Sequence, residues 1–253
     1  MTWIDLEGLC NLRDVGGATT GSGAIVQPGR LLRSDNLQDI TEADLVELRR
    51  RGVSDVIDLR SDYEVAHAPS PIKGRDGIAY HHHSFFIEDD SVGLNERALP
   101  WIGQQFSVRH EDPVVASYLS FFADRPDSVV AALRAIANAS GAALVHCAAG
   151  KDRTGVTVAL ALAVVGVDDD QIAADYALTT ERIMAVVQRM SSQDTYEHST
   201  AHLAPPEALR ARPEVIVAVL EVLRQSGASV EDRLAAWGWS VEDSNALRAH
   251  LLS

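Results

Sequence analysis

Residues 145–155, Val-His-Cys-Ala-Ala-Gly-Lys-Asp-Arg-Thr-Gly, combine a nucleophile with groups that bind an anion. Cys147 is followed six positions later by Arg153, and the thiolate of a cysteine is a strong nucleophile. The planar guanidinium of Arg153 can bind two oxygens of one phosphate. Gly150, between them, lets the backbone turn tightly and approach an oxyanion. These residue types at this spacing indicate covalent chemistry at phosphorus.

The segments on either side of this string can position it. Residues 142–146 are a short apolar run that predicts a buried strand, and the apolar residues from Gly155 onward predict a buried helix. A strand–loop–helix unit directs the first N–H groups of the helix at the loop, and the helix dipole adds partial positive charge. A phosphate and a thiolate are both stabilised in such a loop.

The rest of the chain predicts an α/β fold with a helical C-terminal part. Apolar runs predict strands at 31–34, 53–59 and 78–83, and helical patterns follow at 41–52, 113–123 and 126–139. Thr41, Ser229 and Ser240 each precede an aspartate by three residues, a pattern typical of a helix N-cap. We expect a central, mostly parallel sheet flanked by helices.

From Gly155 the chain is helical almost to its end. One helix is expected from Asp168 to about Leu178, and a second one starting at Thr179 or Thr180. No linker composition separates the two halves. We therefore expect a single domain over residues 1–253, in which residues from about 168 to 253 form a helical extension or lid packed on the α/β core.

Composition excludes several classes of function. The chain has 253 residues, with 22 Lys and Arg against 36 Asp and Glu, and a net charge of −14 disfavours nucleic acids and anionic membranes. Two cysteines exclude a disulfide scaffold and a four-cysteine metal site. The first residues lack the basic start of a signal peptide, which predicts a cytoplasmic protein but leaves leaderless export open. The longest apolar run, 156–167, is too short to insert in a bilayer. The pattern does not indicate an oligomeric state.

Three consecutive histidines, His81, His82 and His83, could suggest a metal site. Side chains alternate across a strand, so His81 and His83 share one face and His82 lies on the other. Protein metal sites generally need at least three ligands, and no third one is set by spacing. We therefore interpret them as polar residues of an edge strand and predict no metal.

The ten residues HCAAGKDRTG, 146–155, resemble the phosphate-binding loop HCxxGxxR[ST] of the cysteine-dependent protein tyrosine phosphatases. More closely, the chain resembles the bacterial PtpB-like, atypical tyrosine/serine phosphatases. The similarity extends over roughly residues 8–180 through NLRDVGG at 11–17, RLLRSD at 30–35, DLRS at 58–61 with Glu64, and Asp175 with Tyr176. The resemblance implies a parallel sheet flanked by helices, a phosphocysteine intermediate, and no metal or organic cofactor.

The same resemblance assigns roles to the residues of the loop. Cys147 becomes the nucleophile and Arg153 the clamp on the phosphoryl group. The phosphate-binding residues are Ala148, Ala149, Gly150, Lys151, Asp152 and Arg153. Lys151 resembles a loop lysine that is linked to activity on phosphoinositides in this family. The substrates implied are phosphotyrosine proteins, with phosphoserine, phosphothreonine and phosphoinositides as further candidates.

Four residues are expected to support the loop. Asn11 and Asp14, with Arg13 between them, precede Gly16-Gly17, and the family match favours bracing of the phosphate loop over simple turn chemistry. His146 and Thr154 flank the loop itself. We expect the hydroxyl of Thr154 to bond to the sulfur of Cys147 or to the loop.

The general acid that protonates the leaving oxygen is harder to assign. The family position for one candidate aspartate falls near Ile87, which cannot donate a proton. Asp152, inside the loop, is the preferred candidate for the acid. Glu88 and Asp89, which follow Ile87 directly, are the alternatives, and a solvated acidic loop is the competing interpretation.

Other functions are compatible with parts of the pattern. Cys147 could be a small, inert core residue, as buried cysteines often are. A binding module without turnover would hold phosphorylated ligands, although Cys147 and Arg153 are both present. Sulfur transfer and arsenate reduction also use a loop cysteine, but reductases of that kind usually need resolving cysteines and only Cys10 is available.

Overall fold

The strand that ends at His146 lies in the middle of the sheet. The computed structural model describes residues 1–75, 77–87, 106–196 and 206–252. The strands are β1 (Thr2–Trp3), β2 (Arg13–Asp14), β3 (Leu31–Ser34), β4 (Val53–Asp58), β5 (Ala79–His82) and β6 (Ala142–His146). They form one sheet in the order β1-β2-β3-β6-β4-β5. The pairs β3/β6, β6/β4 and β4/β5 are parallel, while β1/β2 and β2/β3 are antiparallel. The predicted mostly parallel α/β sheet is confirmed.

Helices connect these strands and make up the C-terminal part. They are α1 (Glu42–Arg50), α2 (Asp62–His67), α3 (Pro113–Asp124), α4 (Pro126–Ala137), α5 (Asp152–Val164), α6 (Asp169–Ser191), α7 (Pro206–Leu209), α8 (Pro213–Leu223), α9 (Val230–Ala236) and α10 (Val241–Leu251). Short 3₁₀ turns follow at Asp194–Tyr196 and Gln225–Gly227. The N-caps predicted at Thr41, Ser229 and Ser240 are all present as capping boxes.

One predicted helix boundary is wrong. The sequence predicts a new helix at Thr179 or Thr180, but α6 continues through both residues to Ser191. The hydroxyl of Thr179 does not cap a helix, because it accepts a hydrogen bond at 3.1 Å from Nη2 of the buried Arg13. A threonine that is typical of an N-cap can lie inside a helix when a tertiary partner takes its oxygen.

The alternation of side chains along β6 divides the core into two layers. Ala143 and Val145 face the larger cluster, which includes residues of α3, α4 and α5. Ala142 and Leu144 face the smaller cluster, which includes residues of α1. Successive side chains of a strand point to opposite faces, so both faces of the sheet are covered and β6 is buried along its whole length.

The C-terminal helices share the larger core cluster with the α/β part. Ile216 of α8, Leu234 of α9 and Leu247 of α10 are all buried in that cluster. Arg134 of α4 also pairs with Asp243 of α10 at 2.7 Å. Whether residues 1–253 act as one domain, with 168–253 as its lid, stays a prediction.

Two further observations concern membrane-crossing helices and metal-binding side chains. Among the described residues, no helix combines the length and the apolar composition that a bilayer crossing requires. His81 contacts Asp55 Oδ1 through Nε2 at 2.8 Å, and His82 Nε2 lies 2.8 Å from the carbonyl oxygen of Arg60. In the described part of the chain, no group of three His, Cys, Asp or Glu side chains is placed to hold a metal ion.

Candidate active site

The loop that carries Cys147 connects the end of β6 to the start of α5. Cys147 follows directly after β6, and its side chain is buried, with 2% of its surface exposed. Gly150 has a φ of +66°, in the left-handed region. A Cβ atom there would lie 2.3 Å from the carbonyl oxygen of Ser34 at the end of β3. The loop can therefore pass this close to β3 only with glycine at position 150.

The carbonyl groups of the loop are held from outside by side chains of the N-terminal segment. Nδ2 of Asn11 donates to the carbonyl oxygens of Ala149 at 3.0 Å and Gly150 at 3.2 Å. Nη2 of Arg33 donates to Gly150 O at 2.9 Å. Asn11 thus braces the loop as predicted from the sequence.

These bonds determine where the loop amides point. A trans peptide directs its N–H opposite to its C=O, so the amides that follow the held carbonyls of Ala149 and Gly150 point to the inner side of the loop. None of the N–H groups of residues 148–153 donates to another part of the described chain. Several unpaired amides around one concave loop form a site for an oxyanion.

A buried ionic network supports Asn11 and Arg33. Oδ1 of Asp175, on α6, accepts from Nε of Arg13 at 2.9 Å, and its Oδ2 accepts from Nη1 of Arg33. Arg13 in turn donates to Oδ1 of Asn11 at 2.7 Å. Burial raises the pKa of Asp175, but the two arginines outweigh it and hold that pKa below its ordinary value. One carboxylate therefore orients both side chains that hold Gly150.

The expectation that Asp14 braces the phosphate loop is wrong. Its carboxylate accepts from the backbone N–H of Gly16 at 2.8 Å and of Gly29 at 2.7 Å, which is turn chemistry. The reason is the alternation of side chains along β2. Arg13 points to the side where Asn11 and Asp175 lie, so Asp14, the next residue, points to the other side.

Arg153, on the first turn of α5, is held by Glu64. Nη1 of Arg153 donates to Oε2 of Glu64 at 2.6 Å, and Nη2 donates to Oε1 at 3.3 Å. Burial lowers the pKa of Arg153, but Glu64 and Cys147 raise it above its ordinary value. The guanidinium also lies 5.0 Å from the ring of Phe86, in a cation–π contact. Arg153 is therefore permanently charged and fixed in orientation.

Glu64 is positioned by its own helix. It is the third residue of α2, and its carboxylate accepts from the backbone N–H of the N-cap Ser61 at 2.8 Å. The hydroxyl of Tyr196 donates to Oε1 of Glu64 at 3.0 Å. Burial raises the pKa of Glu64, but Arg153 outweighs it and the pKa lies below its ordinary value. The Ser-x-x-Glu pattern at 61–64 was a readable signal for this helix start.

The two supporting residues that flank the loop behave differently from each other. Nδ1 of His146 lies 3.3 Å from the carbonyl oxygen of Cys147, and burial lowers the pKa of His146 to about 4. The hydroxyl of Thr154 was expected to bond to the sulfur or the loop, yet among the described residues it has no partner. Thr157, one turn later, donates to the carbonyl oxygen four residues back. The carbonyl oxygen four residues before Thr154 is that of Gly150, and it already accepts hydrogen bonds from Asn11 and Arg33.

The other side of the loop forms a rim that is partly open to solvent. Nζ of Lys151 lies 3.7 Å from Oδ1 of Asp152. The same Oδ1 accepts a hydrogen bond from the hydroxyl of Tyr118 on α3. A mostly apolar cavity of about 210 Å³ adjoins these residues and is also lined by Phe106 and Leu209. The alternative acids Glu88 and Asp89 lie outside the described residues.

Several residues of this site were not found from the sequence as site residues. They are Arg33, Glu64, Tyr118, Asp175, Tyr176 and Tyr196. Four of them lie in segments that resemble the family, at 30–35, 64 and 175–176, which marked the segments without assigning their contacts. Tyr118 and Tyr196 had no such signal.

The chain is similar to known tyrosine phosphatases over most of its length. A family model described as "Tyrosine phosphatase family" matches residues 4–253. The chain is 30% identical to the triple specificity protein phosphatase PtpB of Mycobacterium tuberculosis, with 98% of each chain covered. It is 29% identical to a putative tyrosine-protein phosphatase of Cupriavidus necator, with 95% of this chain and 81% of that protein covered. A solved structure of Pseudomonas aeruginosa TpbA matches 75% of this chain, with 96% of that structure covered, at 17% identity and a TM-score of 0.31.

Proposed function

Because the chain belongs to the tyrosine phosphatase family, we propose that it hydrolyses phosphotyrosine through a phosphocysteine intermediate on Cys147. One observation carries this proposal. A buried cysteine, a charged arginine and a set of unpaired amides occupy the same seven-residue loop at the start of a helix. Such a loop binds a phosphate dianion and places its phosphorus against the sulfur.

The free donors of Arg153 support its role as the clamp. A guanidinium has five N–H groups, and Glu64 and the carbonyl oxygen of Leu59 take those of Nη1 and one of Nη2. No described residue accepts from Nε or from the second N–H of Nη2. These two donors lie on one edge and match two phosphoryl oxygens. Glu64 thus orients Arg153 by accepting from Nη1 and Nη2 and leaves the edge formed by Nε and the second N–H of Nη2 open.

The proposed reaction has two steps. The thiolate of Cys147 attacks phosphorus in line, a sulfur–phosphorus bond forms, and the bond from phosphorus to the tyrosine oxygen breaks. Asp152 donates a proton to that departing oxygen, and Arg153 with the loop amides stabilises the charge on the equatorial oxygens. Water then attacks phosphorus and gives a proton to the carboxylate of Asp152, the sulfur–phosphorus bond breaks, and inorganic phosphate leaves with the thiolate and the acid restored.

The substrate class extends this proposal. The Mycobacterium tuberculosis relative is named a triple specificity phosphatase. In this chain, Lys151 places a second cation at the rim of the loop, where phosphates beyond the one being hydrolysed would lie. We include phosphoserine, phosphothreonine and phosphoinositides as further substrates on this basis. The binding-module and sulfur-transfer alternatives are not favoured, since the relatives reported above carry phosphatase names.

The extension formed by residues 168–253 is proposed to cover this site. Val186 and Met190 of α6, together with Tyr196, pack against Ala148 and Ala149 of the loop. Hydrogen exchange measured with and without inorganic phosphate tests whether this cover moves. Protection of 183–196 that changes with phosphate would support a lid, and high protection unchanged by phosphate would argue against it.

Hydrolysis of para-nitrophenyl phosphate and phosphotyrosine peptide tests the central proposal. The wild type is expected to turn over both substrates, and Cys147→Ser neither, because a serine hydroxyl is not ionised at neutral pH. Cys10→Ser, the matched control, should keep wild-type activity. Acid quenching with a radiolabelled substrate should trap a phosphoenzyme in the wild type and in Cys10→Ser alone. Turnover by Cys147→Ser at a rate near that of wild type would refute the mechanism.

The acid is tested separately with substrates that differ in their leaving group. Asp152→Asn should slow phosphoserine and phenyl phosphate by about 100-fold or more, and para-nitrophenyl phosphate much less. A nitrophenolate departs without being protonated, whereas a serine alkoxide cannot. Glu88→Gln and Asp89→Asn serve as the comparison. If either of them shows this dependence and Asp152→Asn does not, the acid has been assigned wrongly.

A further inference from the structure

Two buried tyrosines connect Asp152 to the body of the protein. The hydroxyl of Tyr118, on α3, donates to Oδ1 of Asp152, and it lies 2.7 Å from the hydroxyl of Tyr176 on α6. Both tyrosine side chains are buried, with 1% of their surface exposed. Neither hydroxyl is needed to fill the core, since phenylalanine would pack in the same space. The two hydroxyls nevertheless form a chain of hydrogen bonds that ends on one carboxylate oxygen, which indicates a role beyond packing.

The direction of these hydrogen bonds follows from counting protons. A carboxylate oxygen only accepts, so the single proton of the Tyr118 hydroxyl lies toward Asp152. The hydroxyl of Tyr176 must then donate to the oxygen of Tyr118. Burial and the charge of Asp152 raise the pKa of Tyr118 well above its ordinary value, so it stays a donor. The relay runs from Tyr176 through Tyr118 to Oδ1 of Asp152.

This relay distinguishes the two oxygens of Asp152. Oδ1 receives the hydroxyl of Tyr118 and lies 3.7 Å from the ammonium group of Lys151. No described residue is hydrogen-bonded to Oδ2. When Asp152 is protonated, the proton is therefore directed to Oδ2, because a proton on Oδ1 would compete with the hydroxyl of Tyr118 and lie beside the positive charge of Lys151. An acid delivers its proton efficiently only from an oxygen with a fixed position.

We propose that Tyr118, oriented by Tyr176, is the positioning residue that presents Oδ2 of Asp152 to the leaving oxygen of the substrate. The inference rests on the proposed function, in which Asp152 is the general acid. In this role Tyr118 acts through Asp152, whose Oδ1 accepts its hydrogen bond. Loss of the hydrogen bond from Tyr118 to Asp152 should therefore slow the reaction most for substrates whose leaving group most needs a proton.

The packing around the relay holds it in place. The ring of Tyr118 stacks at 5.9 Å on Phe121 and meets the ring of Tyr176 edge-on at 6.4 Å. Tyr176 lies directly against Gly155 of α5, where an added Cβ would come within 2.8 Å of its ring. Glycine inside a helix is unfavourable, so this glycine indicates a packing requirement. Gly155, in the same string as Cys147, makes room for the ring of Tyr176.

The test compares Tyr118→Phe with Asp152→Asn over aryl phosphates whose leaving groups range from nitrophenol to phenol, with phosphoserine as an alkyl substrate. Tyr118→Phe is expected to lower kcat/KM about tenfold for phenyl phosphate and phosphoserine, and less than about twofold for para-nitrophenyl phosphate. Tyr176→Phe should change kcat/KM in the same sense and less. Inhibition by inorganic phosphate and the thermal unfolding midpoint check that loop and fold are retained in both variants.

The double variant Tyr118→Phe/Asp152→Asn separates positioning from a structural role. If Tyr118 acts through Asp152, the double variant has the leaving-group dependence of Asp152→Asn alone. An equal loss for every leaving group, or the same loss in both backgrounds, would overturn the inference. If Asp152→Asn depends on the leaving group while Tyr118→Phe does not, only the relay fails. If Asp152→Asn itself shows wild-type dependence, the proposed acid fails and the relay with it.

Discussion

The two sides of the loop that carries Cys147 are built in opposite ways. Behind the loop, the side chains of Asn11, Arg13, Arg33 and Asp175 are buried, and charged groups pair with one another. At the rim, Lys151 and Asp152 keep 13% and 14% of their side-chain surface exposed, and only a few contacts hold them. The side that holds the loop in shape is locked in the interior, whereas the side proposed to exchange protons and meet substrate stays near solvent.

This difference predicts where substitutions change stability and where they change chemistry. Removing one partner of a buried ion pair leaves an uncompensated charge in the interior, which costs far more than the pair contributes. Pairs near solvent contribute little, because water screens them. Substitutions behind the loop should therefore reduce stability first, and substitutions at the rim should alter rates and specificity while the fold remains.

The largest expected effect follows from Asp175→Ala. It leaves Arg13 and Arg33 buried side by side, and we expect the free energy of unfolding to fall by about 3–5 kcal/mol. Urea denaturation measures this change. Asp169→Ala is the matched control on the same helix, since its partly exposed pair with Arg224 should contribute less than about 1 kcal/mol. Equal losses in the two variants would show that the buried ion pairs of Asp175 contribute no more to stability than a partly exposed pair.

The next effect is a dependence of stability on pH that originates behind the loop. The pKa of His146 falls from 6.5 to about 4 on folding, so between these values the unfolded chain binds a proton that the folded chain does not. The free energy of unfolding should therefore decrease by up to about 3 kcal/mol as the pH falls from 6.5 to 4. Half-buried His83, with a pKa also lowered to about 4, adds a contribution of the same sign.

Urea denaturation at several pH values checks this dependence, with the slope rather than the absolute stability as the readout. His146→Gln should flatten the slope in this window, and His67→Gln, at an exposed position on α2, should leave it as in wild type. An unchanged slope in His146→Gln would mean that His146 titrates alike in the folded and unfolded chain.

A smaller effect links stability to phosphate binding. Asn11→Ala leaves the buried carbonyl groups of Ala149 and Gly150 with fewer donors, which should cost about 1–3 kcal/mol of unfolding free energy. The loop should also bind inorganic phosphate less tightly, measured as competitive inhibition. Asn138→Ala, which removes an exposed amide at the end of α4, should leave that inhibition unchanged. If Asn11→Ala loses stability but is inhibited by phosphate as strongly as wild type, the contact of Asn11 with the loop does not shape the anion site.

The smallest change in stability is expected at the rim. Lys151→Met should alter the free energy of unfolding by no more than about 0.5 kcal/mol. It should nevertheless lower kcat/KM on a phosphoinositide about tenfold relative to para-nitrophenyl phosphate, because a charge-assisted contact to a second phosphate is lost. Lys73→Met, at the chain's only other lysine, is the control. An unchanged ratio in Lys151→Met would remove phosphoinositides from the proposed substrates.

Local patterns predicted the parts of this molecule that depend on neighbours in sequence. The strand at 142–146, the helix after the loop and the N-caps at Thr41, Ser229 and Ser240 all follow from apolar spacing and capping chemistry. The bracing role of Asn11 came from family resemblance and is seen in the structure. The role predicted for Asp14 was wrong, because side chains alternate along β2. Arg13 points toward Asn11, and Asp14 points to the opposite side, where it accepts from the backbone N–H of Gly29.

The contacts that set the properties of the loop join residues far apart in sequence. Asp175 is 162 positions from Arg13, and Glu64 is 89 positions from Arg153. Tyr118 lies 34 positions before Asp152, in a helix that the sequence described as an ordinary packing element. No local pattern can encode such pairs, because only the packing of helices on the sheet brings them within hydrogen-bond distance.

The sequence by itself determined which atoms are available for chemistry: one sulfur, one guanidinium and a glycine turn within seven residues, ahead of an apolar helix. This information is local, because the loop and its helix are continuous in the chain. The tertiary structure alone decided how these atoms are held and charged, through Glu64 on Arg153, Asp175 behind the loop and Tyr118 at Asp152. Burial in a core shared by distant segments strengthens each of these contacts, and burial is a property only of the folded chain.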